Sequence, residues 1–326
     1  MRALERARRA APVTRAAWGI AGAGRAGGAL AAALVRRGAT VLVWDRNASV
    51  AARTARAAGA RRAGTLAELV RGARQIVLAV SDDAIPGLAR NLARAWPQAA
   101  NGSPVPRAAL HLAGALPSTV LQPLASRGAV AGVCQPAVAL HGVPSAGVLA
   151  GAFATVSGAD PAGRRAAASL ARAAGLRPVA VDDARRPLAH LGMVLAAGDT
   201  VSLLAEAAAL LERAGVPARV ARTIAAGLGE GSARAFAARG AVGALTGPAA
   251  RGDARTLARH GAALVAAGLA GSAAADAHRA LARAGATRAA RAGTLSRAAH
   301  ARVRAALDGW TGSRRSRTLP AGGRRP

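Results

Sequence analysis

Gly22-Ala23-Gly24-Arg25-Ala26-Gly27 has the spacing G-x-G-x-x-G, and the chemistry this spacing serves is the grip on a pyrophosphate. Gly22 permits a tight turn, Gly24 lets a phosphate approach the backbone, and Gly27 allows close packing of helix on strand. Amides at the helix start near Arg25 would hold the phosphates. Asp45 follows Gly22 by 45 − 22 = 23 residues, near the separation at which a carboxylate accepts a hydrogen bond from a ribose hydroxyl. Arg46 could instead pair with a 2′-phosphate, so the cofactor stays open between NAD and NADP. In a chain with 39 glycines among 326 residues the spacing alone would arise by chance about 0.5 times. Its neighbours have to support it.

Reduction of a carbonyl or imine by a nicotinamide also needs a proton donor, and histidine, with an ordinary pKa of about 6.5, is suited to that role. His190 and His111 are the candidates for catalysis. Met193, Val194, Ala197 and Val201 share the helical face of His190, a pattern that equally fits a buried structural histidine. His111 follows a strand at the carboxyl edge of the sheet, where open α/β folds bind ligands. His141 falls in a loop, and His260, His278 and His300 read as surface or helix-packing residues. Arg251 could hold a substrate carboxylate bidentately, while Asp253 is placed to cap a helix starting near Ala254. Asp82-Asp83 reads as a cap for the helix after it. Asp199, nine residues past His190, points to the opposite side of the helix unless the helix breaks near Gly198. No cluster has metal-ligand spacing, so no metal is expected.

The elements around these residues supply the missing context. AWGIAG (17–22) is a short apolar strand, Arg25–Arg37 a helix, and ATVLVWD (39–45) a second strand ending on Asp45. Helices at 48–58 and 65–71 lead to the strand QIVLAV (75–80), and a helix at 84–95 to a Pro/Gly loop at 97–106. Strands at 107–112, 129–134, 151–158 and 177–182 alternate with helices near 117–127 and 161–174. Such alternation predicts α/β architecture, an N-terminal Rossmann-type, doubly wound parallel sheet. From 184 onward only helical periodicity remains, which predicts an all-α C-terminal domain. The expected divisions are a disordered basic N-terminus at 1–15, a dinucleotide-binding domain at 16–182, a helical domain at 183–284, and a helical extension with a disordered basic tail at 285–326.

Alanine, glycine and arginine dominate, and lysine and tyrosine are absent. The formal charge of +30 would suit an anionic partner, but the arginines are dispersed and stacking aromatics are scarce, so nucleic acid is not the expected partner. One cysteine, Cys134, precludes an intrachain disulfide and suits a reducing, cytoplasmic setting. The longest uncharged run, 128–159, is broken by prolines and glycines, so no membrane span is expected.

GIAGAGRAGGALAAAL, LAVSDDAI (78–85), HLAGALPSTVLQPLASRG (111–128) and LTGPAARGDARTLARH (245–260) together resemble a bacterial group of Rossmann-like oxidoreductases whose helical C-terminal domain is of unknown function. These are distant relatives of 6-phosphogluconate dehydrogenase, the β-hydroxyacid dehydrogenases and ketopantoate reductase. The resemblance covers about residues 16–284. It implies an NAD(P)-dependent reduction of a small carbonyl or imine, such as a ketopantoate-like 2-keto acid, in a cleft between the two domains. It further implies cofactor contacts at Val80 and Ser81, substrate contacts at Gln135 and Arg251, and His190 on a helix facing the nicotinamide. A homodimer is the assembly to look for. The chain departs from the group at Ser81 (usually proline), Ala113 (a hydroxyl residue), Gln135 (histidine), Ala189 (tyrosine) and Gly198 (asparagine). Many relatives donate the proton from a lysine, and this chain has none. The alternative is a dinucleotide-binding protein with little or no catalysis, a sensor or an assembly partner.

Overall fold

The computed structural model describes residues 16–97, 108–140 and 147–310. The expected basic ends, most of the 97–106 loop and His141 lie outside them. By internal contacts the chain divides into two compact units, one ending at Leu195 and one beginning at Ala196.

The first unit is built on an eight-stranded sheet in the order β3-β2-β1-β4-β5-β6-β7-β8. Its strands are β1 (Ala16–Ala21), β2 (Val41–Trp44), β3 (Arg61–Arg62), β4 (Ala73–Leu78), β5 (Ala108–His111), β6 (Val130–Pro136), β7 (Phe153–Ser157) and β8 (Arg177–Ala180). Helices α1 (Arg25–Arg36), α2 (Ala48–Ala58) and α6 (Pro161–Ala173) pack Leu30, Leu34, Ala55 and Leu170 against Ile20, Val43 and Leu110 on one face. On the other face, α3 (Leu66–Gly72), α4 (Ile85–Ala95) and the single turn α5 (Gln122–Ala125) set Leu69, Leu92 and Leu124 against Ile76 and Leu78. Burial on both faces is why these strands read as continuous apolar runs rather than alternating ones.

The sheet departs from the parallel expectation at one joint. β6 pairs parallel to β5 through Val130–Val133 and antiparallel to β7 through Val133–Pro136. No long helix in the described part of 137–152 carries the chain back over the sheet, so β7 runs opposite to β6. The helix expected near 117–127 is a 3₁₀ turn, Ser118–Leu121, followed by α5, with Pro123 inside that short turn. Asp82 and Asp83 form a 3₁₀ turn, and no side chain caps the start of α4, so the expected cap is absent. The two-residue β3 is too short to show in a periodicity.

A 3₁₀ turn at Asp183–Arg185 leads into α7 (Arg186–Ala196), all but the last residue of which falls in the first unit, beyond the boundary expected at 182. The helical run, expected to continue past His190, breaks at Ala197 (φ −116°, ψ −84°), one residue before Gly198. Asp183–Arg213 is, by length and composition alone, long and apolar enough to cross a membrane, and it lies outside the uncharged run at 128–159; an 18-residue window there averages a hydropathy of 1.6.

The second unit contains α8 (Gly198–Arg213), α9 (Ala218–Ala244), α10 (Pro248–Arg251), α11 (Ala254–Ala266), α12 (Ala273–Arg291) and α13 (Arg297–Asp308). Leu257, Ala286, Leu295, Val303, Leu307 and Trp310 form its main core, and the Trp310 indole donates to the Leu257 carbonyl at 3.1 Å. Ala208, Ala221 and Ala225 form a smaller core between α8 and α9. Asp253 caps α11 as its position predicts, accepting from the Thr256 amide at 2.9 Å.

Candidate nucleotide site and the adjoining histidine cluster

β1 runs into the glycine turn because only glycine can occupy it. Gly22 has φ +114°, and a Cβ there would stand 2.4 Å from the Ala79 carbonyl oxygen. A Cβ on Gly27 would stand 1.9 Å from the Gly22 carbonyl oxygen, so α1 can approach β1 this closely only without a side chain. Gly24 is the N-cap of α1. No side chain caps that end and its first turn holds no acidic residue, which leaves first-turn amides and the helix dipole facing outward. This is the arrangement that receives a phosphate.

The turn forms one wall of a groove of about 900 Å³ over the carboxyl ends of β1, β2 and β4. Gly22, Gly24, Arg25, Asp45, Arg46, Val80 and Ser81 all line it, and Gly27 is buried behind. Trp44, Asn91, Val138 and Leu140 line it too; the sequence carries no motif for them, since they arrive from separate stretches of chain. Asp45 also braces the turn, accepting from the Ala23 amide at 2.8 Å and from the Asn47 amide at 2.9 Å. The Thr54 hydroxyl donates to the Ala23 carbonyl from the far side at 2.9 Å. The groove lies where strand order reverses, between β1 and β4.

Farther along the same edge stands a polar cluster. The Leu112 amide donates to the Leu78 carbonyl, so the exit of β5 lies beside that of β4, and two residues on comes Gly114. His190 of α7 lies against Gly114, where a Cβ would be 2.1 Å from His190 Nδ1 and 2.5 Å from Gln135 Nε2. Gln135 Nε2 donates to His190 Nδ1 at 3.0 Å, and its Oε1 accepts from the Thr155 hydroxyl at 3.2 Å. With Nδ1 accepting, a neutral imidazole carries its hydrogen on Nε2.

His111 is placed differently. It is fully buried, its Nε2 donates to the Pro117 carbonyl at 3.2 Å, and its Nδ1 accepts from the Ala113 amide at 3.2 Å. Both ring nitrogens are thus engaged, in contrast to its expected role toward a ligand, and burial holds its pKa down to about 4. Cys134 on β6 is also fully buried, and burial pushes its thiol up to about 12, so it is not a nucleophile at neutral pH.

Two residues that the motif reading passed over hold this edge together. Arg186 is buried (1% exposed), and donates to Ser157 Oγ at 3.2 Å and to the Ala113 carbonyl at 3.0 Å; burial lowers its pKa. Asp183 accepts from Ser157 Oγ at 2.6 Å and from both the amide and the hydroxyl of Ser118 at 2.8 Å. The network fastens the start of α7, and with it His190, to β7 and the loop after β5. One arginine among so many in the sequence gives no sign that it is the buried one. Arg251 lies in the second unit, exposed, and its guanidinium donates to the Thr246 carbonyl.

A Rossmann-like domain model matches residues 6–136, and a model described as a domain of unknown function, DUF2520, matches residues 152–291. The chain joins a Rossmann-like domain to a DUF2520 domain. Among solved structures it is similar to a protein from Bacteroides fragilis provisionally described as an NADP oxidoreductase, with 22% identity and a TM-score of 0.64, covering 85% of this chain and all of that one. Protein TM1727 from Thermotoga maritima is 17% identical at a TM-score of 0.55, over 74% of this chain and 87% of its own. A reductive aminase from Aspergillus terreus, solved with NADPH4, cyclohexanone and allyl amine, is 19% identical at a TM-score of 0.53, over 90% and 93% of the two chains. No curated protein matches the sequence. The Rossmann-like model ends on the last residue of β6, and the DUF2520 model takes in β7, α6, β8 and α7 before the helical unit begins.

Proposed function

We propose that this Rossmann-like/DUF2520 chain is an NAD(P)-dependent oxidoreductase that reduces a small carbonyl or imine compound. The observation that carries this reading is the groove at the strand-order reversal, with the outward-facing start of α1 and Asp45-Arg46 on its walls. A bound nicotinamide dinucleotide would supply the hydride. The chain's own residues would do the rest. Gly22, Gly24 and the amides at Arg25 hold the pyrophosphate, while Val80 and Ser81 flank it. Asp45 is already held by two backbone amides and Arg46 stands beside it, an arrangement that suits a 2′-phosphate and so favours NADP. His190, with Nδ1 accepting from Gln135, presents its Nε2–H as a hydrogen-bond donor to the oxygen or nitrogen that develops charge, and water delivers the proton itself. In this reading Gln135 positions the hydrogen-bond donor, and His111 is structural. Structural neighbours described with NADP or NADPH agree with the cofactor. The resemblance to ketopantoate reductase makes a 2-keto acid the first substrate to try.

A second reading, nucleotide binding without turnover, is favoured by Ala113 and Gln135, which replace polar groups the resemblance leads one to expect. One titration series separates the two. NADPH and NADH are added to the purified chain while tryptophan fluorescence is followed, and nicotinamide absorbance is then monitored with keto acids and with ketone–amine pairs. The first reading requires saturable binding, cofactor oxidation, and loss of turnover in His190→Ala with nucleotide affinity retained. Binding without oxidation across the panel supports the second, and no binding of either nucleotide sinks both. Arg46→Ala should weaken NADPH roughly 10-fold or more and leave NADH nearly unchanged, on the scale of one lost charge-assisted contact.

A further inference from the structure

Two histidines that the sequence separates by 18 residues meet in the second unit. His260 Nδ1 on α11 and His278 Nε2 on α12 stand 3.2 Å apart, so one nitrogen donates to the other. The His278 ring packs against Trp310, with 5.2 Å between centroids, and the indole is itself tied to the Leu257 carbonyl, which backs the pair from the core side. The pair stands on the wall of a groove of about 520 Å³ between α8, α11 and α12, within the range of roughly 300–1,000 Å³ for small-molecule sites. Gly268 (φ +69°) turns the chain at the end of α11, and the Leu269 amide returns to the Leu264 carbonyl at 2.7 Å, which brings both leucines to the groove. The lining is sorted by chemistry. Apart from alanines and leucines only Arg213, His260 and His278 reach it, and no acidic residue does among the described ones. The Arg213 guanidinium, at the end of α8, makes no ion pair or hydrogen bond among the described residues. An apolar trough whose polar groups are all cationic or basic suits a ligand with an apolar body and a single negative end.

We propose that this groove binds an amphipathic monoanion, a carboxylate carried on an apolar chain or ring. Arg213 and the His260–His278 pair meet the carboxylate, and the apolar part lies along Ala263, Leu264 and Ala274. The site lies wholly within the second unit, so it depends neither on the nucleotide groove nor on the function proposed for that groove. Other occupants fit worse. Residues 1–15 and 311–326 are rich in arginine, which Arg213 repels. A divalent metal ion would find two imidazoles but no third ligand among the described residues, and Arg213 on the same wall opposes it.

Isothermal titration calorimetry on the full chain with octanoate, 1-octanol and acetate tests this. Octanoate should bind saturably with a Kd of roughly 100 μM or tighter, 1-octanol at least about 10-fold more weakly, and acetate not detectably. Arg213→Gln should weaken octanoate about 10-fold, and Arg213→Lys much less. Ala263→Trp fills the trough from an exposed helix position and should abolish binding while helical circular dichroism persists. The two Arg213 variants decide the matter if Ala263→Trp misfolds. No saturable octanoate binding overturns the proposal, as does 1-octanol binding as tightly as octanoate. Binding that Arg213→Gln and Ala263→Trp both leave intact would lie elsewhere, the groove of the first unit included, and also overturns it. Zinc chloride binding that His260→Ala removes, with octanoate inert, would make the pair a metal site and equally overturn it.

Discussion

His111 shows at the scale of one residue how burial decides what an imidazole does. Enclosed at the exit of β5 with both nitrogens engaged, it is held neutral, with its pKa at about 4 against an ordinary 6.5. The unfolded chain therefore binds more protons here between those two values, and folding stability must fall as pH drops through that window. The loss amounts to roughly 3 kcal/mol once pH is below about 4, and is absent above about 6.5. Chemical denaturation of the wild type at about pH 7 and about pH 4.5 should show it, and His111→Asn should flatten the slope in that range. An unchanged slope would mean that the ring is not the buried proton acceptor described. His190, in the same edge but hydrogen-bonded through one nitrogen only, has a different part. Sequence reasoning set the two histidines side by side as candidates because residue type and strand position were all it could weigh. What separates them, the Pro117 carbonyl and the Ala113 amide on one ring and Gln135 on the other, comes from backbone that no spacing reveals.

At the scale of elements, the β1–turn–α1 unit and β2 were legible because each obeys a local rule: apolar strand, glycines, helix, stop at Gly38, strand, carboxylate. Gly27 carries the tightest of these demands. Gly27→Ala would drive a methyl group toward the Gly22 carbonyl, and should cost roughly 1–3 kcal/mol on the scale of overpacked sites while weakening nucleotide binding at least about 10-fold. A thermal melt with and without NADPH reads both, and a variant that binds normally would show that α1 can shift to make room. The elements that were not legible failed for nonlocal reasons. β7 was recognised as a strand, yet its antiparallel direction depends on how the chain returns from β6, which no window of residues encodes. Arg186 and Asp183 went unremarked because their partners, Ser118, Ser157 and Ala113, come from distant stretches of chain. The asparagine cap of α2, where Asn47 accepts from the Ser49 and Val50 amides, is by contrast local and could have been found from its spacing.

At the scale of the molecule, the only thiol reports on the integrity of the sheet. Cys134 sits on β6 in the middle of the strand order, fully buried, so a thiol reagent should label it only as fast as the first unit opens. Labelling in native buffer should be slow and should rise steeply across the denaturant transition; complete reaction within mixing time would contradict its burial. The antiparallel joint at β6 and β7 has a further consequence. The two family models fall on either side of it with 137–151 between them, one ending with Pro136 and the other beginning at Ala152, yet Val133–Pro136 and Ala154–Ser157 are neighbours in one ladder. Gene boundaries drawn from sequence similarity would cut through hydrogen bonds, leaving each fragment with a raw strand edge. A fragment of this chain that is to keep the β6 edge paired must therefore extend past Ala180, so that β7, α6 and β8 stay with it. What looks like the head of the second module is, in the folded chain, the far edge of the first module's sheet.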